Sequence, residues 1–140
     1  MYIREEQAWA EPLQVALERL MPQLTSHLRA PSKERLEALL FSSTTALYAA
    51  WREDRVVGLL TLTWYDVPSS RKGWIEDVVV EERLRGEGIG RALMQIALER
   101  ARQEGIAKLM LTSSPHRHAA HALYRTLGFE ERDTTVFQLK

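Results

Sequence analysis

The chain contains no cysteine, which removes disulfides, thiolate nucleophiles and cysteine-ligated metals from consideration. It has no net charge either, with 19 lysines and arginines against 19 aspartates and glutamates. Neither nucleic acid nor an anionic membrane is therefore expected as a partner, and any anion must be held by a local arrangement of groups. No apolar run approaches the ~18 residues of a membrane-spanning helix. The first residues include Arg4, Glu5 and Glu6 rather than a signal-like apolar stretch, so a cytoplasmic protein is expected. Repeats, linkers and tracts polar enough for disorder are missing as well. What remains is 140 residues of 45% hydrophobic content, enough for one domain over residues 1–140 with a substantial core.

After a short extended start at Tyr2–Arg4, the residues Trp9, Leu13, Ala16, Leu17, Leu20 and Leu24 share one helical face. Pro12 suits the first turn of that helix, and Ser32 is placed to cap a second, shorter one. Thr45–Trp51 and Val56–Tyr65 are rich in β-branched and aromatic residues around a polar turn and predict a hairpin. Pro68-Ser69-Ser70 with Gly73 predicts a loop. Trp74–Val80 predicts a strand ending in the apolar run Val78-Val79-Val80. A helix from Ile89 to about Ala101 should stop at Gly105, with a strand over Ile106–Thr112 and a helix over His116–Leu127. One or two closing strands are expected in Phe129–Leu139. The order βααβββαβαβ indicates an α/β or α+β sheet domain.

The glycines are few but concentrated. Gly86, Gly88 and Gly90 fall between an apolar strand and a strong helix. Lacking Cβ atoms they permit positive φ and close approach of a ligand, and the free N–H groups of the helix start favour an anion. Phosphate oxygens fit such a nest, with Arg85 and Arg91 available at its rim. A Walker loop would need Lys-Ser/Thr after the last glycine, where Arg91-Ala92 stands. A dinucleotide fingerprint would need a third glycine at position 91 and an acidic residue after the next strand, and both are missing.

The stretch Val80-Glu81-Glu82-Arg83-Leu84-Arg85-Gly86-Glu87-Gly88-Ile89-Gly90 resembles the acetyl-CoA-binding motif of the GNAT superfamily of N-acetyltransferases. Arg85, Gly88 and Gly90 match its Arg/Gln-x-x-Gly-x-Gly/Ala pattern. Ala120-His121-Ala122-Leu123-Tyr124, followed by Gly128-Phe129, is similar to the family's closing motif. The resemblance covers roughly Val56 to the C-terminus. It implies a mixed central sheet with helices on both faces, acetyl-CoA as cosubstrate and direct attack of an amine on the thioester. A small-molecule primary amine is the expected acceptor. A silent acyl-CoA-binding module and a protein N-terminal or lysine acetyltransferase stay open as alternatives, as does a homodimer.

Carried over residue by residue, the resemblance assigns the cofactor to Val78, Val79, Val80, Arg85, Gly86, Glu87, Gly88, Ile89, Gly90, Arg91, Ser114 and Arg117. Arg117 stands where the family more often has Asn, so a substrate anion is its other expected partner. Tyr124 matches the position that protonates the leaving sulfur. With pKa values near ~10 and ~8.5, that transfer is uphill by about 2 kcal/mol, so the phenol should help rather than be indispensable. Glu76 and Asp77 are the only acids of the Trp74–Val80 strand. Alternation sends them to opposite faces unless a bulge intervenes. Glu76 is the expected general base with Asp77 as the runner-up, and Asp77 and His121 are weaker candidates for substrate contact. His116, His118 and His121 lack a carboxylate at metal spacing, so no metal is expected.

Overall fold

The computed structural model describes residues 1–140. Its five strands are β1 (Tyr2–Glu6), β2 (Thr45–Arg52), β3 (Arg55–Val67), β4 (Ser70–Val80) and β5 (Lys108–Leu111). They form one sheet in the order β1-β2-β3-β4-β5. The first four pair antiparallel, and β5 runs parallel to β4. The helices are α1 (Glu11–Leu24), α2 (Lys33–Phe41), α3 (Ile89–Gln103) and α4 (His118–Thr126). The expected mixed sheet between helices is what the chain forms.

Strand alternation sorts the core into two layers. Leu47, Ala49 and Trp51 of β2 face α1 and α2, meeting Leu13, Ala16, Leu17, Leu20 and Leu36. Ala46, Tyr48 and Ala50 face the other way, toward Ile89, Leu93, Met94 and Ala97 of α3. Each fully buried leucine in these layers contributes roughly 1.5–3 kcal/mol. The helix ends follow the local chemistry of the sequence. Pro12 lies in the first turn of α1, and the Ser32 hydroxyl accepts from the Arg35 N–H at 3.2 Å. Gly105 and Gly128 take positive φ just beyond α3 and α4.

Two expectations fail. Pro68 and Ser69 alone separate β3 from β4, so the anticipated loop is a tight hairpin and Gly73 lies inside β4. A Cβ on Gly73 would come within 3.0 Å of the Ile106 side chain and 3.1 Å of the Thr63 carbonyl oxygen. This glycine serves close packing rather than a turn. The closing strands over Phe129–Leu139 do not form: residues 130–140 make no backbone hydrogen bond to a neighbouring strand.

An ion-pair cluster ties α1 to the end of β4. Glu81, only 6% exposed, bonds to Arg55 and lies 3.1 Å from the Arg19 Nε. Burial pushes the Glu81 carboxyl up, but the Arg55 bond and the charges of Arg55 and Arg19 outweigh it and hold it below its ordinary value. A depressed carboxylate stabilises the fold above its unfolded pKa, and that stability is lost as pH falls through the folded one. Thermal melts should therefore drop as pH falls below about 4.3. Glu81→Gln should lower the melting temperature at neutral pH and flatten the acid decline.

Candidate active site

The site begins with a fault in β4. Leu59 of β3 opposes Val79, yet Thr61, two residues on, opposes Glu76, three residues back. One extra residue is thus inserted into β4, and Asp77 carries it with φ 50. Asp is among the few L-residues that tolerate this region, at a cost of about 1–2 kcal/mol. The insertion flips the strand's faces. Ile75 belongs to the core layer under α3, whereas Val79, four residues on, belongs to the layer under α1. Glu76 and Asp77 consequently both border one cavity instead of dividing between faces.

That cavity opens where β4 and β5 part. Their parallel ladder runs from Lys72–Lys108 only to Ile75–Leu111. Past it lies a space of about 380 Å³, walled by Ile75–Val78 on one side and Leu111–Ser114 on the other. Leu24, Arg117 and Tyr124 complete the lining. Burial, reinforced by the charge of Asp77, raises the Glu76 carboxyl above its ordinary range. Burial also raises the Tyr124 phenol, against an opposing pull from Arg117. A carboxylate moved toward neutrality is suited to accept a proton, whereas the raised phenol stays protonated and makes transfer to a thiolate more uphill.

The glycine loop follows a single 3₁₀ turn (Glu82–Leu84). Gly86 and Gly88 adopt φ 85 and 89, and a Cβ at either would meet nothing within 4 Å. The Ala92 N–H is the first to bond back into α3, to the Gly88 carbonyl at 3.0 Å. The N–H groups before it are left for a ligand. Side chains brace the loop instead of filling it. The Arg85 Nε donates to the Val80 carbonyl at 3.2 Å, Arg52 holds Glu87 at 2.9 Å, and Arg91 donates to the Thr126 hydroxyl at 2.8 Å. An open glycine face at a helix start fits a diphosphate well.

The other expected site residues separate. Ser114 and Arg117 border the cavity, the Arg117 N–H bonding to the Ser114 carbonyl at 3.1 Å. The Arg117 guanidinium donates to the Leu24 carbonyl at the end of α1. Val78 borders the cavity, whereas Val79 is turned into the core and His121 stands outside the lining. Leu24, Leu111, Thr112 and Ser113 join the site without having been singled out in the sequence. Only the Thr112-Ser113-Ser114 run, a polar end to an apolar strand, hinted at them.

A family model described as the acetyltransferase (GNAT) family matches residues 11–129. The chain belongs to this family. Human N-acetyltransferase 8B is 27% identical over 114 residues, covering 80% of this chain and 50% of that protein. An aminoglycoside N(6')-acetyltransferase type 1 from Stenotrophomonas maltophilia is 35% identical over 69 residues, 49% of this chain and 45% of that one. This GNAT chain thus spans about half the length of these curated relatives. Among solved structures, a putative acetyltransferase from Agrobacterium tumefaciens superposes with a TM-score of 0.85 at 26% identity. That match covers 100% of this chain and 99% of the other. No helix is long and apolar enough to cross a membrane.

The three loop glycines should respond differently to substitution. Gly88→Asp places a carboxylate in the anion nest at positive φ and should abolish acetyl-CoA binding by calorimetry. A Cβ on Gly90 meets only ordinary contacts, at 3.7 and 3.9 Å, so Gly90→Ala should bind normally. Equal losses in the two variants would refute the nest.

Proposed function

We propose that this chain moves the acetyl group of acetyl-CoA to a primary amine of a small molecule, with residues 1–140 acting as one catalytic domain. The observation that carries the reading is the convergence of Glu76, Asp77 and Tyr124 on the cavity where β4 and β5 part. The glycine loop supplies the diphosphate site beside it. The cavity volume is in the range of small-ligand pockets, and one relative's name specifies an aminoglycoside.

The paired carboxylates draw a cationic amine inward. Glu76 removes its proton, directly or through one water, which frees the nitrogen lone pair for the acetyl carbon. Backbone N–H groups of β4 beyond Ile75 have no β5 partner, and they are suited to stabilise the oxygen as charge develops. Carbon–sulfur cleavage leaves a thiolate, to which Tyr124 delivers its proton. Acetyl-CoA supplies only the activated acyl group. Arg117 is read as a wall of the acceptor side, committed to the Leu24 carbonyl, rather than as a cofactor-phosphate contact.

Glu76 must be ionised to act, so kcat/KM should rise with pH through its raised pKa, above the usual value near ~4.3. A thiol-release assay on Glu76→Gln should show that limb gone and the rate down about 10²-fold. Asp77→Asn removes the neighbouring charge and should move the limb to lower pH. An unmoved limb in both variants would transfer the base role elsewhere.

Tyr124→Phe should reduce kcat by roughly 10–100-fold while KM changes less. A change confined to KM would recast the ring as packing.

A further inference from the structure

Glu76 belongs to a row of side chains that the core does not use. Leu47 of β2 opposes Thr61 and packs in the layer under α1 and α2, so alternation places Thr61, Thr63 and Tyr65 of β3 on that same face. Glu76, Trp74 and Lys72 of β4 are their register partners, and β5 adds Met110 opposite Trp74 and Lys108 opposite Lys72. Trp74, Tyr65 and Met110 belong to neither core layer. Trp74 and Met110 are half-buried, and Tyr65 is 42% exposed. The indole is held in place, since its Nε1 donates to the Tyr65 hydroxyl at 3.2 Å. A fixed flat ring on an uncovered sheet face is a surface on which another ring can stack.

The cavity joins this surface to the glycine loop. It passes through the sheet where β4 and β5 part: Leu24 of its lining packs with the α1 layer, whereas Tyr124 packs with the α3 layer. The glycine loop opens at the start of α3, on the side of Tyr124. Trp74 therefore lies across the gap from the anion nest, on the face that carries Glu76.

Spacing and charge restrict what fits. Trp74 stands two residues from Glu76 along β4, a rise of about 7 Å. An ammonium held by Glu76 and Asp77 places a ring over the indole when a short alkyl link joins the two. A long polyamine is disfavoured, because its second ammonium would run past Trp74 to Lys72 and Lys108. We propose, on the reading that this chain acetylates a small primary amine, that Trp74 determines specificity and that the acceptor is an arylalkylamine. Its ring stacks on the indole and its nitrogen lies at Glu76.

A thiol-release assay should compare phenethylamine with hexylamine, which has the amine and an apolar chain but no ring. The wild type should favour phenethylamine about 10-fold in kcat/KM, chiefly through KM. Trp74→Phe should keep that preference and Trp74→Leu should erase it. Because Trp74 packs in neither core layer, both variants should melt near the wild type and still bind acetyl-CoA by calorimetry. Tyr65→Phe, which leaves Trp74 in place and only frees its indole, should lower the preference as well. Equal use of the two amines by the wild type, a preference that survives Trp74→Leu, or a stronger preference for a lysine-containing peptide would each overturn the arylalkylamine and leave acetyl transfer standing. Calorimetry with phenethylamine reads the indole surface without turnover. Binding that Trp74→Leu weakens about 10-fold, with no thiol released from any amine, would overturn the transfer reaction and uphold the surface.

Discussion

The cavity at the candidate site depends on the interruption of hydrogen bonding in β4. On one side an extra residue at Asp77 breaks the register with β3, and on the other the ladder with β5 ends at Ile75. The first break turns two acids toward one space, and the second creates that space. A regular five-stranded sheet with the same composition would bury more backbone and offer no site. The strain at Asp77 is the local cost, and it is offset by the two core layers, which hold the strand from both faces.

The end of α1 coordinates both halves of the site. Its Gln23 side chain accepts from the Glu82 N–H at 2.9 Å, and Arg19 pairs with Glu81, so the helix sets where the glycine loop departs from β4. One residue on, Leu24 borders the cavity and its carbonyl receives Arg117 from the cap of α4. The glycine loop, the cavity and the helix that carries Tyr124 are registered against one helix terminus. Burial accounts for the direction in which the Glu76 and Tyr124 protons are displaced, and neighbouring charges modify it.

Local chemistry was legible in the sequence, and long-range geometry was not. The glycine loop, the Ser32 cap and the stops at Gly105 and Gly128 each follow from a few adjacent residues, and the structure has them where expected. Glu76 and Asp77 drew notice because acids are scarce in strands. Their shared direction depends on pairing with β3, which no local pattern encodes. Gly73 read as a turn residue because the side chain that needs its missing Cβ, Ile106, is 33 positions away. Leu24 joined the site through helix docking. The closing strands were read from the β-forming character of Val136, Phe137 and Leu139. That character is present, but these residues make no backbone hydrogen bond to a neighbouring strand.

The contact of Gly73 with Ile106 has a further consequence. It sits in the short ladder about which β4 and β5 diverge, and the chain passes from Ile106 straight into β5 and on to Thr112–Ser114, the far wall of the cavity. A displacement at this fulcrum is transmitted to the gap by a stiff arm only a few residues long. The width of the gap between β4 and β5 can thus be retuned during divergence by a single methyl group remote from Glu76 and Tyr124. The residues that line the gap need not change for its width to drift.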